Sequence, residues 1–269
     1  MPRKAPIERG TTASRRLWLK GLGLGYVFTR VPLVPKVHPW LDPRKTDMRW
    51  IPINQDIETP PGAAIPTALL DRFIEEASHR VIYHVCGCRE AFGCSHYPQS
   101  IGCLLMGDSA LDSRTNLCRE VGVDEAKEHA RGAIAAGLVP LVGKARIDSY
   151  IFGIKDRARL MTVCFCCECC CWLKYGRAAD PEVLDALFPR MQGVSIEVSD
   201  ACEGCGTCVE RCYLGAIDVS SGRAVMSGLC RACGRCAAAC PNGAISVSID
   251  DPDFLEREYE RITTYVKHD

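Results

Sequence analysis

A run of four cysteines spaced C-x2-C-x2-C-x3-C occurs twice, as Cys202, Cys205, Cys208 and Cys212 and again as Cys230, Cys233, Cys236 and Cys240. Nothing else in the chain limits its folding as strongly. Three thiolates on a tight loop can cover three corners of a cubane cluster, while the fourth rides on the next helical turn and points away. The copies repeat at an interval of 28 residues and agree beyond their cysteines: Gly206 matches Gly234, Gly215 matches Gly243, and Ala216-Ile217 matches Ala244-Ile245. Such self-similarity predicts a pseudo-twofold unit. Zinc also binds C-x2-C pairs, but it usually takes two pairs and not three cysteines with a crossed fourth.

On these residues, 195–249 resembles a bacterial-type ferredoxin with two [4Fe–4S] clusters. The resemblance implies one cluster on Cys202, Cys205, Cys208 and Cys240, and a second on Cys230, Cys233, Cys236 and Cys212. Each fourth ligand then serves the other copy's cluster. One departure is Tyr213, which stands where the second copy has Pro241. Proline fixes the backbone after a ligand but supplies none itself, so the change bears on local geometry only. Strands are predicted at about 194–199, 216–219, 224–226 and 244–249, with the first and last paired.

The chain holds 19 cysteines in 269 residues, so eleven lie outside the repeat. The odd total and the many adjacent cysteines suit metal binding better than a disulfide framework. Thiolate clusters are assembled under reducing conditions, which makes the cytoplasm the expected compartment. A competing signal is Ser14-Arg15-Arg16-Leu17-Trp18-Leu19-Lys20, which resembles a twin-arginine export sequence, although the apolar stretch after it is short and broken by Arg30 and Pro32. The same segment reads alternatively as a helix packed on the body or an amphipathic stretch touching a membrane. No apolar run is long enough to span one. Net charge is zero and no basic stripe exists, so nothing points to nucleic acid. The glycines of Gly21-Leu22-Gly23-Leu24-Gly25 have the wrong spacing for a dinucleotide fingerprint.

The upstream cysteines form two groups. Cys86, Cys88, Cys94 and Cys103 come with Gly87, Gly93 and Gly102 beside them, and glycine permits close backbone approach to a bulky inorganic group. Cys164, Cys166, Cys167, Cys169, Cys170 and Cys171 crowd one short run. No regular backbone aims all six at one cubane. On a helix Cys164, Cys167 and Cys171 would share a face; on a strand, neighbours would alternate. Three or four ligands from this run, completed from 86–103, would hold one or two further iron–sulfur clusters. Zinc, a redox dithiol and inert buried thiols are the competing readings. Arg89 is either a charge beside a cluster or a surface residue, His84 and His96 are possible iron ligands, and Cys118 stands alone. The layout over about 50–250 also resembles uncharacterised iron–sulfur proteins of anaerobic bacteria and archaea that end in a dicluster ferredoxin domain.

The expected fold class is α+β. A ferredoxin-like dicluster domain at 193–250, with two short β-hairpins and two short helices, follows a mainly helical cysteine-rich domain at 61–192. Residues 1–60, rich in proline, are expected as an extended arm with a helix around 13–29, anchored by Trp40, Trp50, Ile51 and Ile53. Pro60-Pro61-Gly62 marks its boundary, and 251–269 forms a C-terminal helix. Helices are expected from Pro66, over 124–136 and after Asp180-Pro181. These features favour an electron-transfer protein serving a redox partner protein. The alternatives are a reductase whose N-terminal cluster is catalytic and a metal-delivery protein.

Overall fold

A computed structural model of the chain describes residues 12–38, 41–53, 66–113, 116–156 and 158–264. Trp40 and the expected boundary at Pro60-Pro61-Gly62 lie outside the described residues. In chain order, helix α1 (Thr12–Phe28) and the short α2 (Val34–Val37) lead into strand β1 (Asp47–Trp50). Helix α3 (Pro66–Glu76), strand β2 (Arg80–Tyr83), α4 (Gly87–Phe92), β3 (Leu104–Met106) and β4 (Cys118–Glu120) follow. Next come α5 (Val123–Ala135), β5 (Val139–Lys144), α6 (Arg146–Ile151) and β6 (Met161–Cys166).

The cysteine-rich part has more helix than strand, but its helices pack on a sheet that the sequence reading did not specify. Its frame is a six-stranded antiparallel sheet in the order β1-β5-β6-β3-β2-β4. The strands are short apolar runs rich in β-branched and bulky residues. Periodicity alone cannot separate such runs from buried helix or loop. Strand β1 pairs with β5 from Asp47↔Lys144 to Trp50↔Leu141, so a segment expected to be extended arm forms one edge of this sheet.

Residues of β6 alternate as a pleated strand requires. Met161, Val163 and Phe165 join the larger core with Phe73 of α3 and Ala126 and Ala130 of α5. On the opposite face, Val81, Tyr83 and Leu105 pack with Phe152, Ile154 and Leu160 in a smaller core.

After a 3-10 turn at Trp172–Ala178, α7 (Pro181–Leu187) starts at Asp180, whose carboxylate accepts bonds from the Glu182 and Val183 amides. Strand β7 (Val194–Val198), helix α8 (Thr207–Arg211), hairpin β8 (Ile217–Ser220)–β9 (Arg223–Met226), helix α9 (Arg235–Ala239) and β10 (Ile245–Ile249) complete the repeat. β7 pairs with β10 from Val194↔Ile249 to Val198↔Ile245. The two copies match at their helix caps: Gly206 and Gly234 both lie in the left-handed region, at φ 80°. A side chain would be strained there.

Helix α10 (Phe254–Thr263) docks on α3 as well as on the repeat. Phe73 and Tyr259 stack at 5.2 Å, and Arg72 bonds Glu256. Beneath α10, buried Arg49 of β1 pairs with Asp47 at 2.9 Å and lies 3.6 Å from buried Glu258. One ionic group thus joins the N-terminal sheet to the C-terminal helix.

Candidate metal centres

The repeat carries its cysteines on the loops before α8 and α9 and on the residues that end them. Cys212, Cys230, Cys233 and Cys236 line one small cavity, and Cys233 and Cys236 each lie close enough to Cys212 and Cys230 to feel their charge. Burial pushes the Cys233 thiol up to about 11. In the other copy Cys208 faces Cys202 and Cys205, while Cys240 ends α9 as Cys212 ends α8. Amides point at sulfur in matching positions: Ala216 to Cys212 and Ala244 to Cys240, both at 3.3 Å. The Ala224 amide does the same for Cys202 at 3.3 Å.

The upstream cysteines divide three ways because the backbone changes character inside their run. β6 ends at Cys166, a tight turn carries 167–170, and the 3-10 turn begins at Trp172. Cys167, Cys169 and Cys170 project from the turn and meet Cys94, all four sulfurs lying within 4.8 Å of one another. Cys166 and Cys171 approach to 3.5 Å, and the hydrogen-bonded pair Cys86 and Cys88 faces them from the start of α4. Cys103 and Cys164 form a third pair at 3.7 Å, the first just before β3 and the second in the neighbouring β6. All of these cysteines are free thiols. Cys118 bonds the Ser113 carbonyl, away from the groups. His84 and His96 are exposed and belong to none of them.

Arg89 is not a surface residue. It is 1 % exposed, and its guanidinium donates to the carbonyls of Pro98, Phe165 and Ile101. Among the described residues it has no carboxylate partner. Burial works against its charge, but Cys86, Cys167 and Cys103 outweigh that effect and raise its pKa. A buried cation whose nearest counter-charges are thiols suits a site in which those thiols are ionised, as metal ligands are.

Sequence reasoning passed over Glu168, which sits between Cys167 and Cys169. Its carboxylate accepts from Arg235 at 2.6 Å, Arg211 at 2.5 Å and the Tyr97 hydroxyl at 2.8 Å. Burial alone would raise this carboxyl; its own amide, Arg235, Tyr97 and Arg211 bring it down instead. Arg211 and Arg235 belong to α8 and α9, so both copies of the repeat grip the cysteine turn. Arg235 also donates to the Cys166 carbonyl at 2.7 Å.

Tyr213, the departure from proline, fills the space between the two cysteine fields. Its ring packs on Trp50 at 5.9 Å, and its hydroxyl is buried without a hydrogen-bond partner among the described residues. Burial raises the phenol's pKa, and Cys233 of the repeat and Cys166 and Cys171 upstream add to the shift. Proline could neither bridge that gap nor offer a hydroxyl to a sulfur-rich site.

Residues 190–245 match the family model of the 4Fe-4S dicluster domain. This is an iron–sulfur protein. The grouped thiols, the amides aimed at sulfur and the orphaned Tyr213 hydroxyl all fit such clusters. No curated protein and no solved structure matches the chain. No helix among the described residues is long and apolar enough to cross a membrane. Arg15 and Arg16, the twin-arginine candidates, bind Glu90 and the Ala91 carbonyl on α4.

Proposed function

We propose that the chain is an electron-transfer protein in which the dicluster repeat is continued by a third four-iron site on Cys94, Cys167, Cys169 and Cys170. The observation that carries this reading is the grip of Arg211 and Arg235 on Glu168, which fixes that thiol group against the repeat. When bound, each cubane takes up and releases one electron at a potential set by charge, burial and hydrogen bonds to sulfur. The Ala216, Ala224 and Ala244 amides stabilise negative charge on Cys212, Cys202 and Cys240. Arg89 supplies positive charge on the upstream side, and Tyr213 excludes water between the fields. Cys86, Cys88, Cys166 and Cys171 are the candidates for a fourth site. A separate redox partner protein would exchange electrons with the exposed loop around Cys205.

Iron and acid-labile sulfide counted after anaerobic reconstitution test the reading. Two clusters give about 8 iron per chain, a third gives about 12 and a fourth about 16. Cys167→Ser with Cys170→Ser should remove about 4 iron while the repeat's EPR signals persist. A count of about 8 with one bound zinc would replace the third cluster by a tetrathiolate zinc site, which four sulfurs within 4.8 Å fit as they stand, a cubane requiring them to spread further apart.

A further inference from the structure

Helix α1 has apolar residues on two sides. Leu19, Gly23 and Tyr26 face the body, where Tyr26 stacks on Trp172 at 5.5 Å and Gly23 lies against the Tyr175 ring. The other side carries Leu17, Leu24, Val27 and Phe28, continued by Val31 and Leu33, all at least 48 % exposed. The segment 12–38 holds no acidic residue; Arg15, Arg16 and Arg30 turn to Glu90 and to the Ala91 and Ala178 carbonyls of the body, while Lys20 and Lys36 are exposed beside the apolar residues. A helix that is apolar on both sides belongs at a boundary between protein and lipid, and basic residues beside exposed apolar ones favour an anionic lipid surface. Trp18, at the edge of this face, pairs with the half-exposed Tyr150 at 6.3 Å, amphipathic rings of the kind that settle at headgroup level.

Beneath this segment lies a cavity of about 370 Å³, large enough for a substituted ring. Its outer boundary includes the exposed Gly21, Gly25 and Phe28 of α1, and its inner wall includes Trp172 and Cys164. Glycine in a helix costs roughly 1 kcal/mol relative to alanine, so each needs a reason. Gly23 has one, because a Cβ there would overlap Tyr175. Gly21 and Gly25 have none in packing: a Cβ at either meets no atom within 4 Å. Their missing side chains leave the cavity open along the helix. The Tyr26–Trp172 pair on the wall also covers the upstream thiols. Trp172 directly follows Cys171, and Cys164 lines the same cavity, so the wall abuts the thiol field.

We propose that residues 12–38 lay this face on an anionic lipid surface, and that the cavity takes the ring of a lipid-soluble quinone. The lipid surface follows from the charge and exposure of the segment. The choice of a redox-active ring over an acyl chain follows from the aromatic wall against the thiol field, and it rests on the electron-transfer reading. Reduction of such a ring would take two electrons, supplied singly by reduced iron–sulfur clusters, and two protons from water, giving the quinol.

The test uses the full reconstituted protein, with decylubiquinone as probe, decanol as the ringless control, and vesicles of phosphatidylglycerol and phosphatidylcholine. Calorimetry should show saturable binding of decylubiquinone to the oxidised protein, at least ~10-fold tighter than decanol. Gly21→Leu with Gly25→Phe fills the cavity and should weaken that binding at least ~10-fold, with iron content and vesicle flotation retained. Leu24→Asp with Phe28→Asp should abolish flotation with anionic vesicles. An azidoquinone should label peptides containing 21–28 or 172–173. Equal binding of decanol, binding untouched by the filled cavity with label elsewhere, or flotation that survives the aspartates would each overturn the proposal. Calorimetry on oxidised protein needs no electron transfer. Quinone bound but never reduced would therefore leave this site standing and count against the electron-transfer reading.

Discussion

Arg89 and Asp148 are both buried charges, and their surroundings treat them oppositely. Arg89 has three carbonyl acceptors and thiols about it, and its charge is favoured. Asp148 has one hydroxyl donor, Thr162, and burial pushes its carboxyl from 3.8 up to about 6. Folding therefore prefers the neutral acid. That stabilisation is complete below the unfolded pKa and is lost as pH rises through about 6. Asp148→Asn never ionises, so its stability advantage over the parent should grow between about pH 4 and about pH 6.5 and be flat above that, reaching at most ~3 kcal/mol. Urea midpoints at a series of pH values would measure it. A constant difference between the two proteins would show that the carboxyl is not held neutral.

Among the elements, the turn between β6 and the 3-10 helix depends on partners far away in sequence. Arg235 is 6 % exposed in its side chain, and the Glu168 carboxylate is its ionic partner at 2.6 Å. Removing one member of such a pair strands the other without water. Glu168→Gln keeps the volume but not the charge, and it should cost ~3 kcal/mol of unfolding free energy. It should also loosen the Cys167–Cys171 turn, which hydrogen exchange at the 167–171 amides would report. Unchanged protection there would mean that the turn is held by its own bonds and not by α8 and α9.

Over the whole molecule, the repeat and the cysteine-rich sheet do not behave as beads on a string. The Ile53 amide bonds the Cys233 carbonyl at 3.2 Å, Arg49 of β1 reaches the Arg190 carbonyl at 3.2 Å, and α10 covers α3. Val194, Ile245 and Ile249 of the repeat belong to the same apolar core as Trp50, Phe73 and Leu141. A shared core unfolds cooperatively. Thermal unfolding of the reconstituted protein should therefore give one transition, coincident when followed by cluster absorbance and by far-ultraviolet circular dichroism. Two separated transitions would show that the repeat is an independent unit.

The repeat was legible in the sequence because short-range spacing dictates its geometry. Two cysteine runs, matched glycines at helix caps and a 28-residue interval leave little freedom in the loops, helices and hairpins that follow. The sheet upstream was not legible. Strands of three to six residues, such as Leu104–Met106, gain their identity from partners brought together only on folding. The same holds for the cysteines between 86 and 171. Sequence alone determined that they are too many and too close for disulfides. Only the tertiary structure decided which thiol meets which, because a strand ends at Cys166 and a turn begins at Cys167. That junction sends Cys164 towards Cys103, Cys166 and Cys171 towards Cys86 and Cys88, and the turn's three thiols to Cys94. Thiol direction depends on backbone direction, and here that direction is fixed by Glu168, gripped by two arginines more than forty residues further along the chain.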